Sequence, residues 1–234
     1  MKTCIITGAS SGIGRAAAIE TGKLKEFANI VLIARNIEEL RKTKEAMDRR
    51  NDVLLFPYDL ADLKGIPGLV KSIYETCGSI DCLLNIAGYT DPQPLLNTSL
   101  ENMQKTYDVN VFAVFLMIKE CVKYMKKSSS IKKILNVAST AGMSSRPGWL
   151  SYASSKAAVI SMSQTLTDEL AEYGIRIYCI SPGRCATALR RKLAPDEDQS
   201  KIMQPEEVGR IISSMISEDE QCLDGQNITI RKKI

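Results

Sequence analysis

The 234-residue sequence predicts an α/β fold, one domain over residues 1–234, in which short parallel strands alternate with helices. Three observations predict it. Apolar, β-branched runs recur with helix-patterned stretches between them. The first run ends on a glycine-rich turn that opens directly into a helix. With 44% hydrophobic residues, a chain of this length fills one core, whereas two domains would each be small. Strands separated by helices pair in parallel through right-handed crossovers.

Lys2 to Thr7 is the first strand. It meets Gly8-Ala9-Ser10-Ser11-Gly12-Ile13-Gly14 and then the helical pattern of Arg15 to Ala28. Glycines admit positive φ and close backbone approach, and the free N–H groups at a helix start attract an anion, so this turn is a phosphate cradle. The second strand, Asn29 to Ala34, delivers Arg35 about 20 residues beyond the last glycine. An acid there would accept from a ribose 2′-hydroxyl. An arginine instead pairs with a 2′-phosphate, so Ala34-Arg35-Asn36 favours NADP(H) over NAD(H).

Asn36 caps a charged helix running to Arg50, and Val53 to Pro57 is the third strand, leading to Asp59 where an adenine amino group can be read. A helix over Asp62 to Cys77 is interrupted by Gly65-Ile66-Pro67-Gly68, so its start is expected to be late. Ile80 to Asn85 is the fourth strand and runs into Ile86-Ala87-Gly88, again open backbone. From Ser99 a helical stretch continues through Val109-Asn110-Val111 to Met125. Ile131 to Ala138 is the fifth strand, with Ser139 at its carboxyl end, where ligands bind in open α/β sheets. The next helix carries Tyr152 and Lys156 as far as Tyr173, and Ile175 to Ser181 is the sixth strand. Pro182 to Pro205 is the longest irregular region, and such loops are usually functional or disordered. A helix over Pro205 to Ser217 and a strand over Asn227 to Arg231 close the fold.

Composition narrows the chemistry. A formal net charge of +4, dispersed along the chain, gives no basic stripe for nucleic acid. Without any histidine, imidazole bases and His-ligated metals are excluded, and no metal site is expected. Seven cysteines without Cys-x-x-Cys fit reduced thiols in cytoplasm. The longest apolar stretch, Val109 to Ile118, is too short to span a bilayer, and no cleavable signal precedes the first strand, so no membrane association is expected.

Proton chemistry must therefore use other groups. Tyr152 and Lys156 are four apart and share one helical face. A lysine charge about 4 Å from a phenolate, at an effective dielectric of about 20, is worth roughly 4 kcal/mol, or about three pKa units. That interaction would bring a tyrosine near neutrality, where it serves as a general acid or base.

Together, Thr7-Gly8-x-x-x-Gly12-x-Gly14, Asp59-Leu60, Asn85-x-Ala87-Gly88, Asn110, Ser139, Tyr152-x-x-x-Lys156 and Pro182-Gly183 with Thr187 make the chain similar, over essentially its whole length, to the short-chain dehydrogenase/reductase family. The resemblance implies a single Rossmann-like domain, a doubly wound seven-stranded parallel sheet in the order 3-2-1-4-5-6-7 with helices on both faces. It implies a catalytic group in which Tyr152 is the acid or base, Lys156 lowers its pKa and holds the nicotinamide ribose, Ser139 bonds the substrate oxygen, and Asn110 orders a relay water. It assigns Gly8, Ser10, Ser11, Gly12, Ile13 and Gly14 to the pyrophosphate, and Arg35 and Asn36 to the 2′-phosphate. Asp59 and Leu60 would take the adenine, Asn85, Ala87 and Gly88 the ribose side, and Pro182, Gly183 and Thr187 the nicotinamide amide.

Two departures stand out. The family's Asn-Asn-Ala-Gly is Asn85-Ile86-Ala87-Gly88 here, and its acidic-glycine ending is replaced by Arg231-Lys232-Lys233-Ile234. A homo-oligomer, dimer or tetramer, built through the long helices is expected. The expected activity is NADP(H)-dependent reduction of a ketone or aldehyde to an alcohol. The alternatives are NAD-linked alcohol oxidation and a non-catalytic, dinucleotide-sensing regulator. Trp149 and Arg184 are the candidate substrate contacts, and Arg190-Arg191-Lys192 reads equally as an anion site or a solvated lid. The stretch from Pro182 to Asp198 also resembles reductases of bacterial capsule and teichoic-acid synthesis, some of which reduce pentulose phosphates, so a phosphorylated sugar is one expected substrate.

Overall fold

Side-chain alternation along the strands decides how the two layers of helix attach. In β1 (Lys2–Thr7), Cys4 and Ile6 face one core while Ile5 faces the other. In β2 (Phe27–Ala34), Ile30 and Leu32 join the first core, and Val31 and Ile33 the second. Such strands, apolar on both sides, are stable only with helices on both faces. In the computed structural model, which describes residues 2–48, 51–127 and 132–232, they lie in one parallel sheet ordered β3-β2-β1-β4-β5-β6-β7. The remaining strands are β3 (Asp52–Pro57), β4 (Cys82–Asn85), β5 (Lys132–Val137), β6 (Ile175–Pro182) and β7 (Asn227–Ile230).

Helices α1 (Gly12–Thr21), α2 (Ile37–Glu45) and α8 (Pro205–Ile216) cover one face. They contribute Ala17 and Ala18, Leu40, and Val208, Ile212 and Met215 to the first core. Helices α3 (Ile66–Cys77), α5 (Ala113–Met125) and α6 (Leu150–Ala171) cover the other face, through Val70 and Ile73, Met117 and Ile118, and Leu170. Each fully buried Leu or Ile contributes roughly 1.5–3 kcal/mol, so the sheet is held from both sides. Among the described residues, no helix is long and apolar enough to cross a membrane.

The order reverses at β1. The chain builds outward to β3 on one side, then crosses to β4 on the other, so the loops after β1 and β4 diverge and open a crevice at the carboxyl edge. That crevice holds the site.

Several boundaries differ from the sequence pattern. The first helix ends at Thr21 rather than Ala28, because buried Phe27 already pairs with Lys2 and starts β2. The third helix starts late, at Ile66, and the fourth strand is confined to Cys82–Asn85. The long helix after Ser99 is three pieces, α4 (Leu100–Tyr107), a π-turn over Asp108–Phe112 and α5, with Asn110 in the widened turn. The irregular region after Pro182 contains a short helix, α7 (Ala188–Leu193). The second helix ends at Glu45, short of the expected Arg50; Arg50 itself, the strand start at Ile131, Lys233 and Ile234 lie outside the described residues.

Candidate active site

A cavity of about 710 Å³ opens along the carboxyl edge. One end is made by the glycine turn. Gly8 has φ +71°, and a Cβ there would stand 2.8 Å from Ala87 Cα, so the turn and the β4 loop touch backbone to backbone. The N-cap position of α1 is Ser11, whose side chain makes no capping bond. The first N–H groups of this helix are therefore left for a ligand.

Gly8, Ser10, Ser11, Gly12, Ile13 and Gly14 all line this end of the cavity, with Arg35, Asn36, Asp59 and Leu60 further along. Asn36 Oδ1 is engaged as the cap of α2, accepting from Glu38 N at 2.9 Å and Glu39 N at 3.2 Å. Asp59 Oδ1 likewise accepts from Ala61 N at 3.0 Å. Arg35 is exposed at the cavity wall. The bare helix start and the glycine turn suit a dinucleotide's phosphates, which shows that these residues fit the group.

Asn85 is placed elsewhere. It pairs in register with Asn136 on β5, its Nδ2 donates to Asn136 Oδ1 at 2.9 Å, and its side chain is buried in the sheet. A strand residue alternates faces with its neighbours, so Ile86, Ala87 and Gly88, not the Asn85 amide, form the cavity wall.

At the inner end, Ser139, Tyr152 and Lys156 meet on the wall, with Pro182, Gly183 and Thr187 opposite. Ser139 follows β5 and starts a tight turn, its Oγ accepting from Ala141 N at 3.1 Å. Gly142 in that turn permits the fit. A Cβ there would lie 2.7 Å from the Lys156 carbonyl carbon and the Ala157 nitrogen, so only glycine lets the turn rest on α6. Sequence reading passed over this residue.

Asn110 is fully buried behind the wall rather than in it. Its Oδ1 accepts from Tyr89 N at 2.7 Å, and its Nδ2 donates to Tyr89 O at 2.9 Å and Ser155 Oγ at 3.0 Å. Ser155 Oγ in turn donates to Tyr152 O at 2.7 Å. Asn110 thus ties the β4 loop to the helix that carries Tyr152.

The electrostatics differ from the simple lysine–tyrosine pair. Lys156 Nζ donates to Val137 O at 2.8 Å and stands 5.9 Å from the centre of the Tyr152 ring. Burial lowers the Lys156 pKa to about 8, with the nearby Cys179 acting in the opposite direction. Burial likewise raises the Tyr152 phenol above its ordinary value, against a hydrogen bond with Ser139 and the charge of Arg190, which lower it. In the free protein the phenol is thus raised rather than drawn toward neutrality: burial is the largest influence on it, and Arg190 is the cation that lowers it.

Arg190 separates from its neighbours. Arg191 and Lys192 are exposed, whereas Arg190 turns inward beside Trp149, its guanidinium 5.5 Å from the indole centre. Leu189 and Leu193 of α7 pack with Ala141, Trp149 and Tyr152, closing the flap over the site. Thr187, at the cap of α7, lies against the glycine turn, 3.1 Å from where a Gly12 Cβ would be. Arg184 and Trp149 line the cavity, as do Lys105, Arg146 and Glu197, which the sequence pattern did not single out. Among the described residues, no cluster of three His, Cys, Asp or Glu side chains is placed to hold a metal ion.

An open parallel sheet with a phosphate turn at its reversal point and a Ser–Tyr–Lys group beside it defines an oxidoreductase built on a nicotinamide dinucleotide. The short chain dehydrogenase model matches residues 2–198, and the chain belongs to that family. It is 32% identical over 242 residues to the 3-oxoacyl-[acyl-carrier-protein] reductase FabG of Thermotoga maritima, covering 98% of this chain and 96% of that protein. Among solved structures, YwfH, an NADPH-dependent reductase involved in bacilysin biosynthesis, superposes with a TM-score of 0.89 at 24% identity, covering 100% of this chain and 99% of that one. An NAD+-bound xylitol dehydrogenase superposes at 0.86 with 25% identity, covering 99% and 98%.

Proposed function

We propose that residues 1–234 form one catalytic domain, an NADP(H)-dependent carbonyl reductase in which Tyr152 is the proton donor. The observation that carries this reading is the meeting of Ser139, Tyr152 and Lys156 on the wall of the same cavity as the glycine turn. The dinucleotide supplies the hydride when bound. Everything else falls to the chain. Ser139 Oγ donates to the substrate oxygen and supports the charge that develops there, while the Tyr152 hydroxyl delivers its proton to the same oxygen. A phenol held neutral by burial is a suitable donor. Lys156, buried and bonded to Val137 O, places a cation close to the ring and at the lip of Gly88, where a Cβ would be 3.8 Å from Nζ.

The preference for NADP(H) rests on Arg35, exposed at the cavity wall where an acid would select NAD(H). The superposition on both an NADPH-dependent reductase and an NAD+-bound dehydrogenase keeps NAD-linked alcohol oxidation as the second reading. A phosphorylated sugar is one substrate this reading admits, supported by the arginines at the inner end of the cavity. A homo-oligomer built through α5 and α6 is part of the proposal, supported by Phe112 and Phe115, which are 41% and 45% exposed at the start of α5.

The test is NADPH and NADH oxidation against a panel of ketones and aldehydes, with wild type and Tyr152→Phe. A drop of roughly 10²–10⁴-fold in turnover is expected on losing the phenol. Full turnover in the Phe variant would sink the mechanism.

A further inference from the structure

The inner half of the cavity contains a charge arrangement that the hydride and proton transfers themselves do not require. Arg190 Nε and Nη2 donate to Glu197 Oε2 and Oε1 at 2.5 and 2.8 Å, a side-on, two-bond pair. Arg184 Nη1 reaches the same Oε1 from 3.4 Å. Two guanidinium groups therefore share one carboxylate, and the cluster carries a surplus positive charge inside the substrate half of the cavity. Glu197 and Arg190 are largely shielded, with side chains 16% and 17% exposed, while Arg184 is 49% exposed.

Donors remain for a second anion. Arg190 keeps Nη1 and Arg184 keeps Nε and Nη2 without a partner among the described residues. The flap that carries them is built to hold its shape. Ala186 N donates to Met203 O at 2.8 Å and Met203 N to Arg184 O at 3.2 Å, closing the base of the excursion, and the Arg190 guanidinium stands 5.5 Å from the centre of the Trp149 ring, which packs with Tyr152. The guanidinium thus stands beside the group that gives up the proton.

We propose that Arg184 and Arg190 form an oxyanion-binding subsite for the substrate, with Glu197 as its resident carboxylate, so that the carbonyl compound reduced here carries a carboxylate or phosphate group close to the reacting carbon. Planar guanidinium forks match both oxyanions, and the Nε–Nη2 edge of Arg184, turned away from Glu197, offers such a fork beside Arg190 Nη1. The charge of Arg190 already reaches the Tyr152 phenol and lowers its pKa, which places the subsite within a short reach of the transferred proton. The proposal rests on the reading of this end of the cavity as the carbonyl-substrate site.

The test uses the single tryptophan as a local probe. Trp149 fluorescence is followed while the free protein is titrated with inorganic phosphate and, separately, with acetate, in wild type, Glu197→Gln, Arg184→Met and Arg190→Met. Removing a like charge roughly 6 Å from the bound anion, at an effective dielectric of about 20, corresponds to about a hundredfold before salt screening. Glu197→Gln is therefore expected to tighten the saturable response by at least about tenfold at physiological salt. Arg184→Met keeps the Arg190–Trp149 stack intact and is expected to weaken the response about tenfold. Adding Arg190→Met to Glu197→Gln is expected to abolish it, while Arg35→Ala leaves it unchanged. A tighter response to phosphate than to acetate assigns a phosphorylated substrate, and the reverse assigns a keto acid. Equal affinity in wild type and Glu197→Gln, or a response that survives Arg190→Met in the Glu197→Gln background, would overturn the proposal. Because the titration needs no turnover, its failure leaves the reductase reading standing, and a carbonyl panel that shows no activity leaves the titration interpretable.

Discussion

Replacing Lys156 by methionine is expected to make the protein more stable near neutral pH while removing its activity. Lys156 is buried, and its pKa is lowered from 10.5 to about 8 chiefly by desolvation. At roughly 1.4 kcal/mol per pKa unit, keeping this amine charged in the folded state costs about 3 kcal/mol relative to the unfolded chain. Methionine has similar length and no charge, but it gives up the bond to Val137 O, worth about 1 kcal/mol. The variant should therefore gain about 2 kcal/mol at pH 6.5.

The pH dependence has a definite sign. Below pH 8 the amine is protonated in both states and the folded protein carries the full cost. Between about 8 and 10.5 the unfolded chain keeps its proton while the folded chain has lost it, so wild-type stability rises with pH. The advantage of Lys156→Met should shrink through that window by about 3 kcal/mol and end slightly negative. Urea unfolding of both proteins from pH 6.5 to 10.5 measures the difference directly. Of the groups facing Lys156, the Cys179 thiol is pushed up to about 11 and Tyr152 is raised above its ordinary value, and both are present in either protein. A difference that stays constant over this range would refute the assignment of a depressed, desolvated amine.

Three further outcomes follow from other contacts. Asn110→Ala strips partners from the half-buried backbone N–H and C=O of Tyr89 and from the buried Ser155 hydroxyl, so a loss of about 1–3 kcal/mol in urea unfolding is expected, with faster amide exchange at Tyr89; no measurable loss would contradict the tie between the β4 loop and α6. Gly8→Ala combines a left-handed residue, about 1–2 kcal/mol, with a methyl group 2.8 Å from Ala87 Cα, so thermal unfolding should fall by several degrees and dinucleotide binding should disappear. Arg35→Ala should weaken NADPH binding by calorimetry roughly tenfold to a hundredfold and leave NADH unaffected, whereas equal losses for both would remove the 2′-phosphate argument.

Much of the architecture was legible because its signals are local. The apolar runs from Lys2 and Ile175 are strands for the same reason that they are buried, and the glycine turn after Thr7 is placed by a backbone geometry that other residues resist. Pro67 and Gly68 announced the late start of α3. What was not legible depends on partners far away in the chain. Nothing near Phe27 says that it pairs with Lys2, and nothing near Asn85 says that its amide goes to Asn136 across the sheet. Asn110 was visible as an oddity in an apolar run, but its bonds to Tyr89 and its place in a π-turn arise only when the β4 loop folds against α6.

The sequence by itself determined the alternating α/β plan, the phosphate turn, the spacing of Tyr152 and Lys156 on one helical face, and the exclusion of histidine chemistry. Those follow from periodicity, backbone sterics and residue inventory, which do not depend on the rest of the molecule. Only the tertiary structure decided the protonation balance of the site. The low dielectric around Tyr152 and Lys156 comes with their burial in the folded site, where it raises the phenol and lowers the amine. The tertiary structure also decided that Arg190, and not its neighbours, turns inward, because Glu197 meets it from the far side of the flap and Trp149 offers it a flat face. Burial and the fields of distant charges are properties of the folded volume, and the order of residues along the chain does not contain them until that volume is built.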